Sequence, residues 1–129
     1  MSLSGKGAIT GIGETVYARG STRPALDLQI EASLKAIEDA GLSPRDIDGV
    51  IPIGITGAPA EEFIHNFGIE DLKFSAVNPI GGASGIASVQ TALSLIDSGV
   101  CNHVLIPAGR NTSIGAKAGA RIHTMPQFH

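Results

Sequence analysis

Large rings, thiols and basic clusters are what this chain has little of. Aromatic residues make up 4% of the 129 positions, there is no Trp, and Cys101 is the single cysteine. A lone cysteine excludes an internal disulfide and any zinc site built from several thiolates. The four histidines, His65, His103, His123 and His129, share no metal-ligand spacing, so no metal is expected. The net charge is −3 with no basic stripe, which argues against a nucleic-acid partner. No apolar run approaches the roughly 18 residues that a membrane-spanning helix needs. Residues 1–7 lack the apolar stretch of a signal peptide and read as a leader or disordered segment. The expectation is a soluble, cytoplasmic protein without a membrane partner, with one domain over residues 8–129.

What is present suits a packed core. Hydrophobic residues are 43% of the chain and charged residues only 16%, which excludes global disorder. Seventeen glycines, set among many small residues in the second half, point to backbones packed close together. Residues 8–13 ("AITGIG") read as a first strand. Residues 24–40 carry Leu26, Ile30, Leu34 and Ile37 on one stripe, with Asp27, Glu31, Lys35 and Glu38 opposite, so a helix is expected there. Pro24 suits its first turn and Gly41 its C-terminal stop. Ser43 and Pro44 open a capped single turn with Asp46. Residues 49–55 read as a second strand, in which Pro52 marks an end or an edge. A short helix over 60–67 pairs Phe63 with Phe67. A third strand over 73–77, a second long helix over 83–98 and a fourth strand over 102–108 follow. Residues 110–129 have no clear period.

The order βαβαβαβ predicts an α/β fold with a parallel sheet covered on both faces. The second long helix is unusual. Between Lys73 and Arg110 the only Asp, Glu, Lys or Arg is Asp97. A helix without a charged face is expected to be covered on most sides, by another domain, another subunit or further chain.

Several stretches invite chemistry. "GIGETV" at 11–16 resembles a dinucleotide fingerprint, but Val16 stands where the third glycine belongs and no helix begins there, so it reads as a strand-to-loop turn. Cys101 has His103 two residues on but nothing placed to lower its pKa, and reads as buried. "GRNTS" at 109–113 reads first as loop punctuation, second as a binding segment beyond a strand. The strongest candidate is "GGASG" at 81–85. It follows a strand and opens a nearly uncharged helix, so its backbone N–H groups favour an anion. Ser84 is its one hydroxyl, without the spacing of a G-x-S-x-G elbow.

Four segments together carry a resemblance: "AITGIGET", "LQIEASLKAIEDAGLSPRDIDGVI", "NPIGGASGIASVQTALSLIDSGVCNHVLIPAGRNTS" and "MPQF". In order and spacing the chain resembles the N-terminal half of the thiolase superfamily, in the branch of lipid-transfer-protein and sterol-carrier-protein type thiolases. The resemblance implies an N-terminal βαβαβαβ half with a central buried helix, a homodimer through the strand at 73–77, and an acyl-CoA thioester as substrate, with no cofactor. Catalytic members open the buried helix with a cysteine, whereas here Gly82 stands at that position. The resemblance therefore points to members without the nucleophilic Cys, which act as retro-aldolases on steroid CoA thioesters beside an OB-fold partner protein. It implies that Gly82, Ala83 and Ser84 line the substrate pocket, that no catalytic residue lies in this half, and that this half is inactive alone. Two other readings stay open: a non-catalytic structural or assembly subunit, and a nucleotide-binding α/β domain.

Overall fold

The computed structural model describes residues 2–53 and 58–111. Three helices and three short strands follow in chain order: α1 (Ala25–Asp39), β1 (Gly49–Val50), α2 (Ala60–Phe67), β2 (Phe74–Ser75), α3 (Ser84–Asp97) and β3 (Val104–Leu105). The strands form one parallel sheet in the order β2-β1-β3, with Gly49 opposite Phe74 and Val104. The ladder between β1 and β3 runs further, through Ile51 N–H to Leu105 C=O (2.9 Å) and Ile53 N–H to Pro107 C=O (2.8 Å). Odd-numbered residues of this strand thus donate towards β3, so Pro52 turns its missing donor towards β2, where pairing has ended. The end-or-edge reading of Pro52 holds. Ile55 and all of 112–129, including Thr112, Ser113, His123, His129 and "MPQF", lie outside the described residues.

Strand alternation sets the layers. Val50 and Leu105 join Ile37, Ile47, Phe63, Phe67 and Ile69 in the core, which puts α1 and α2 on one face. Ile51 and Ile53 point the other way, and a Cβ on Gly85 would lie 3.6 Å from Ile53 Cδ1, which puts α3 on the second face. The aromatic rings of Phe63 and Phe67 meet at 5.9 Å, as the i,i+4 spacing requires. Gly41 (φ +71°) and Gly68 (φ +63°) end α1 and α2 in the left-handed conformation that side chains disfavour. The turn Pro44–Asp46 closes as its sequence indicates: Ser43 N–H donates to Asp46 Oδ2 at 2.8 Å.

Two expectations need correction. The first concerns residues 8–13, which form no strand. They run extended, with Ile9 and Ile12 about three-quarters exposed, and are bonded to helix α1. Ile12 N–H donates to Asp39 Oδ2 (2.9 Å), and Lys35 Nζ donates to Glu14 C=O (3.2 Å). Gly11 and Gly13 are glycines because any Cβ would strike the α1 backbone at Ala36 and Ala32. The "GIG" pair thus serves helix packing.

The second correction concerns α1. Its fully buried positions are Gln29, Ser33 and Ile37, and Leu34 is 43% exposed. The stripe is rotated because Ala32, Ala36 and Ala40 receive the N-terminal glycines, while Gln29 finds hydrogen-bond partners inside. Helix α3, expected to take part of its cover from beyond this chain, buries Ser84, Ser88 and Ala92 and leaves Ile86 78% exposed. Among the described residues the sheet covers this face, and Gly7 lies close to Leu93 and Ile96 on another. Its small polar stripe lets it approach the sheet closely, and Ile86 faces outward.

Candidate functional site

The glycine turn sits where the C-terminal end of β2 leads into α3. Residues Gly81–Ala83 form one 3-10 turn, with Gly81 at φ +67°. Gly81, Gly82 and Ala83 are exposed, and Ser84 is buried. The hydroxyl of Ser84 is fully used by the turn itself: it accepts Ile80 N–H at 3.2 Å and donates to Gly81 C=O at 2.7 Å. It therefore has no proton free to act as a nucleophile. The Ser84 N–H donates to Gly81 C=O within the 3-10 turn, so the donors without a helical acceptor are those that open that turn, at Gly81 and Gly82. A Cβ added at Gly82 meets nothing within 4 Å, and its φ is not in the left-handed range. The backbone there does not demand glycine; a larger side chain would stand in open space above the helix end.

Asn78 braces the turn from behind. Its Nδ2 lies 3.3 Å from both Ser88 Oγ and Thr91 Oγ1 on α3. No pattern in the sequence identified this residue, because its partners are ten and thirteen positions away and hydroxyl positions on a helix carry no such signal.

The loops after β1 and β3 meet over a buried amide. Gln29 is 1% exposed; its Nε2 donates to Gly109 C=O (2.6 Å) and its Oε1 accepts Ala58 N–H (3.3 Å). Asn111 Nδ2 donates to Ser21 and Arg23 carbonyls at 2.7 and 2.8 Å. The described part of "GRNTS", residues 109–111, is thus held by side-chain bonds beyond the C-terminal end of β3, as open α/β sheets hold ligand-binding loops.

Cys101 lies at the other end of the sheet. It is 1% exposed, and its Sγ is 3.7 Å from Asp48 C=O. Burial and the Asp48 carboxylate push its thiol up, against a smaller opposing pull from Lys73. The fourteen residues of α3, roughly 21 Å of helix, separate that end from Gly82. It is a structural thiol. His103 is at the same end, where its N–H and that of Asn102 bind the Asp48 carboxylate. Among the described residues no His, Cys, Asp and Glu cluster could hold a metal. A shallow depression of about 450 Å³ on the outer face of α1 involves Arg23, Leu34 and Lys35, away from the turn, and its charges are engaged in the Arg23–Glu31–Lys35 ion pairs.

Comparison with known proteins shows a thiolase-like chain. No family model matches the chain. It is 35% identical over 117 residues to a steroid side-chain-cleaving aldolase of Thermomonospora curvata, and 36% identical over 117 residues to the 17-hydroxy-3-oxo-4-pregnene-20-carboxyl-CoA lyase of Mycobacterium tuberculosis. Each alignment covers 91% of this chain and 30% of the relative, so the chain spans about a third of the length of the curated relatives it matches. Among solved structures, a chain of the Ltp2-ChsH2(DUF35) aldolase superposes with a TM-score of 0.83 at 33% identity, over 95% of this chain and 33% of that one. A monomeric SCP2-thiolase like protein type 1 from Mycobacterium smegmatis gives 0.67 at 26% identity, over 84% of this chain and 26% of that one. The chain is thus thiolase-like in sequence and in fold.

Proposed function

We propose that this chain is the N-terminal part of an enzyme that cleaves a carbon–carbon bond in an acyl-CoA thioester. Its reaction class is retro-aldol cleavage of a β-hydroxyacyl-CoA with a steroid-like acyl group. The supporting observation is the conjunction of an open, donor-rich helix end at Gly82 with 35–36% identity to an aldolase and a CoA-thioester lyase. In such a cleavage a base takes the β-hydroxyl proton, the bond between the α and β carbons breaks, and its electron pair passes into the thioester enolate. The enolate then takes a proton at the α carbon. No covalent acyl-enzyme is required, so glycine at position 82 is compatible with the chemistry. The backbone N–H groups that open the 81–83 turn would face the thioester oxygen, where negative charge develops, with Gly82, Ala83 and Ser84 lining the pocket.

Among the described residues the turn has no acid–base pair beside it, so we propose that this part does not turn over substrate alone. β2 is an edge strand of the sheet, which fits a homodimer formed through residues 73–77. A second, OB-fold partner fits the two-component name of the Ltp2-ChsH2(DUF35) aldolase. Use of CoA thioesters and a free buried thiol fit a reducing, cytoplasmic setting.

The test is incubation of the whole protein with β-hydroxyacyl-CoA thioesters, including steroid ones, with chromatographic detection of a shortened CoA thioester and a carbonyl product. Absence of cleavage together with absence of CoA binding would leave the chain as a structural subunit. Cleavage abolished by a bulky Gly82→Trp substitution at unchanged folding is the expected result.

A further inference from the structure

We propose that Asn78 is a positioning residue that fixes where the 79–83 turn stands on helix α3; this rests on reading that turn as the reaction site. The β2 ladder ends at Ser75, and Pro79 has no N–H to give, so backbone pairing holds this stretch weakly. Side chains hold it instead, at two depths along α3. Ser84 ties Ile80 and Gly81 to the helix start. Asn78 reaches one and two turns further in, to Ser88, which is fully buried, and to Thr91. A turn fastened at both depths can neither slide along the helix axis nor rotate about it, which is what aimed backbone donors require.

The direction of these bonds is fixed by the chain. Thr91 Oγ1 donates its proton to Ala87 C=O at 3.0 Å, so towards Asn78 it can only accept. The group at position 78 must therefore donate, and an amide does so. A carboxylate of the same shape would turn lone pairs against the lone pairs of Thr91. Aspartate is thus the informative replacement: its size is unchanged and its hydrogen-bond polarity is inverted.

The experiment needs no substrate. Gly82→Cys places a thiol in the open space at the helix end, and Cys101 is too buried to compete for a reagent. The rate of alkylation by iodoacetamide from pH 5 to 9 reports the thiol's midpoint. In Gly82→Cys alone the midpoint is expected below the ordinary cysteine value of about 8.5. That single-variant midpoint tests whether the turn favours an anion. Adding Asn78→Asp is expected to move it upward by about one unit, through its own negative charge and because the donors lose their aim, and the uncharged Thr91→Val separates the two. Thr91→Val, a nearly isosteric change on the partner, is expected to move it in the same direction and serves if the Asn78 variant fails to fold. Ser94→Ala, on the exposed side of α3, is expected to leave it unmoved. Circular dichroism confirms folding of each variant. Equal midpoints in Gly82→Cys with and without Asn78→Asp, or with and without Thr91→Val, in folded protein would overturn the proposal whatever the value of the midpoint itself.

Discussion

The two ends of the sheet are built by opposite means. At the N-terminal end the Asp48 carboxylate and the Cys101 thiol are engaged by the backbone. The Asp48 carboxylate accepts the N–H groups of Asn102 and His103 at 2.9 Å each, and its own carbonyl accepts Lys73 N–H at 2.7 Å and faces the Cys101 thiol. At the C-terminal end the described turn carries no titratable side chain. It is braced from behind by neutral amides and hydroxyls, and its front is open. Chemical reactivity by residue type would point to the first end, since it holds the thiol, a histidine and a carboxylate. Geometry points to the second, because the space at Gly82 is open and its turn is held by bonds that lie behind it. A cluster of reactive residue types is a site only if its groups have capacity left over.

The largest effect that would break this contrast is at Asp48. Asp48→Ala strands two backbone donors at the start of β3, and a loss of about 2–4 kcal/mol is expected in urea unfolding. Asp48→Asn, which keeps one acceptor oxygen, is expected to lose less. An Asp48→Ala variant as stable as the parent would show that the N-terminal end is not structural. Next is the thiol. Cys101 is expected to react with a disulfide reagent at pH 8 at least about a hundredfold more slowly in native protein than in urea, since reaction waits on opening. Its raised pKa also fixes a sign. The folded state holds the proton more tightly, so this stabilisation is complete below the ordinary thiol pKa and is lost as pH rises through the folded value.

A matched pair of glycines sharpens the comparison. A Cβ at Gly49 would lie 3.0 Å from Val104 Cγ2 and 3.1 Å from Cys101 Sγ, whereas at Gly82 it meets nothing. Gly49→Ala is expected to cost about 1–3 kcal/mol by overpacking. Gly82→Ala is expected to be neutral within about 0.5 kcal/mol or slightly stabilising, because alanine suits a helical turn better. Thermal melts of the two variants decide it. The smallest effect is at Glu31, which lies at neither end. Lys35 and then Arg23 hold its carboxyl below the usual carboxylate range. That contribution is present above the unfolded pKa and lost as pH falls through the folded one, so Glu31→Gln should lower the melting temperature slightly at pH 7 and not at pH 2. Added salt should shrink the difference.

Much of the framework was legible because its signals are local. Helix α2 was read with its structural bounds because Phe63 and Phe67 lie one turn apart within one short window. Helix α1 was legible from Pro24 to Gly41, and the Ser43–Asp46 turn from its cap residues. The turn at 81–85 was found from its glycines and the uncharged helix behind it. Residues 8–13 were misread because an apolar, glycine-bearing run has the same pattern whether it joins a ladder or lies on a helix. Which face α1 buries was likewise illegible, since Leu26, Ile30 and Leu34 form the better stripe by hydrophobicity alone.

Sequence by itself therefore determined the helices, their stops, the α/β class and the place of Gly82, since each depends on residues within a turn or two of one another. Tertiary structure alone decided that Gln29 joins Ala58 to Gly109, that Asp48 holds Asn102 and His103, and that Asn78 donates to Ser88 and Thr91. A polar side chain has no preferred partner until folding removes water from it. Only then must its donors and acceptors be matched, and the match is made across whatever elements the fold has brought within 3 Å or so.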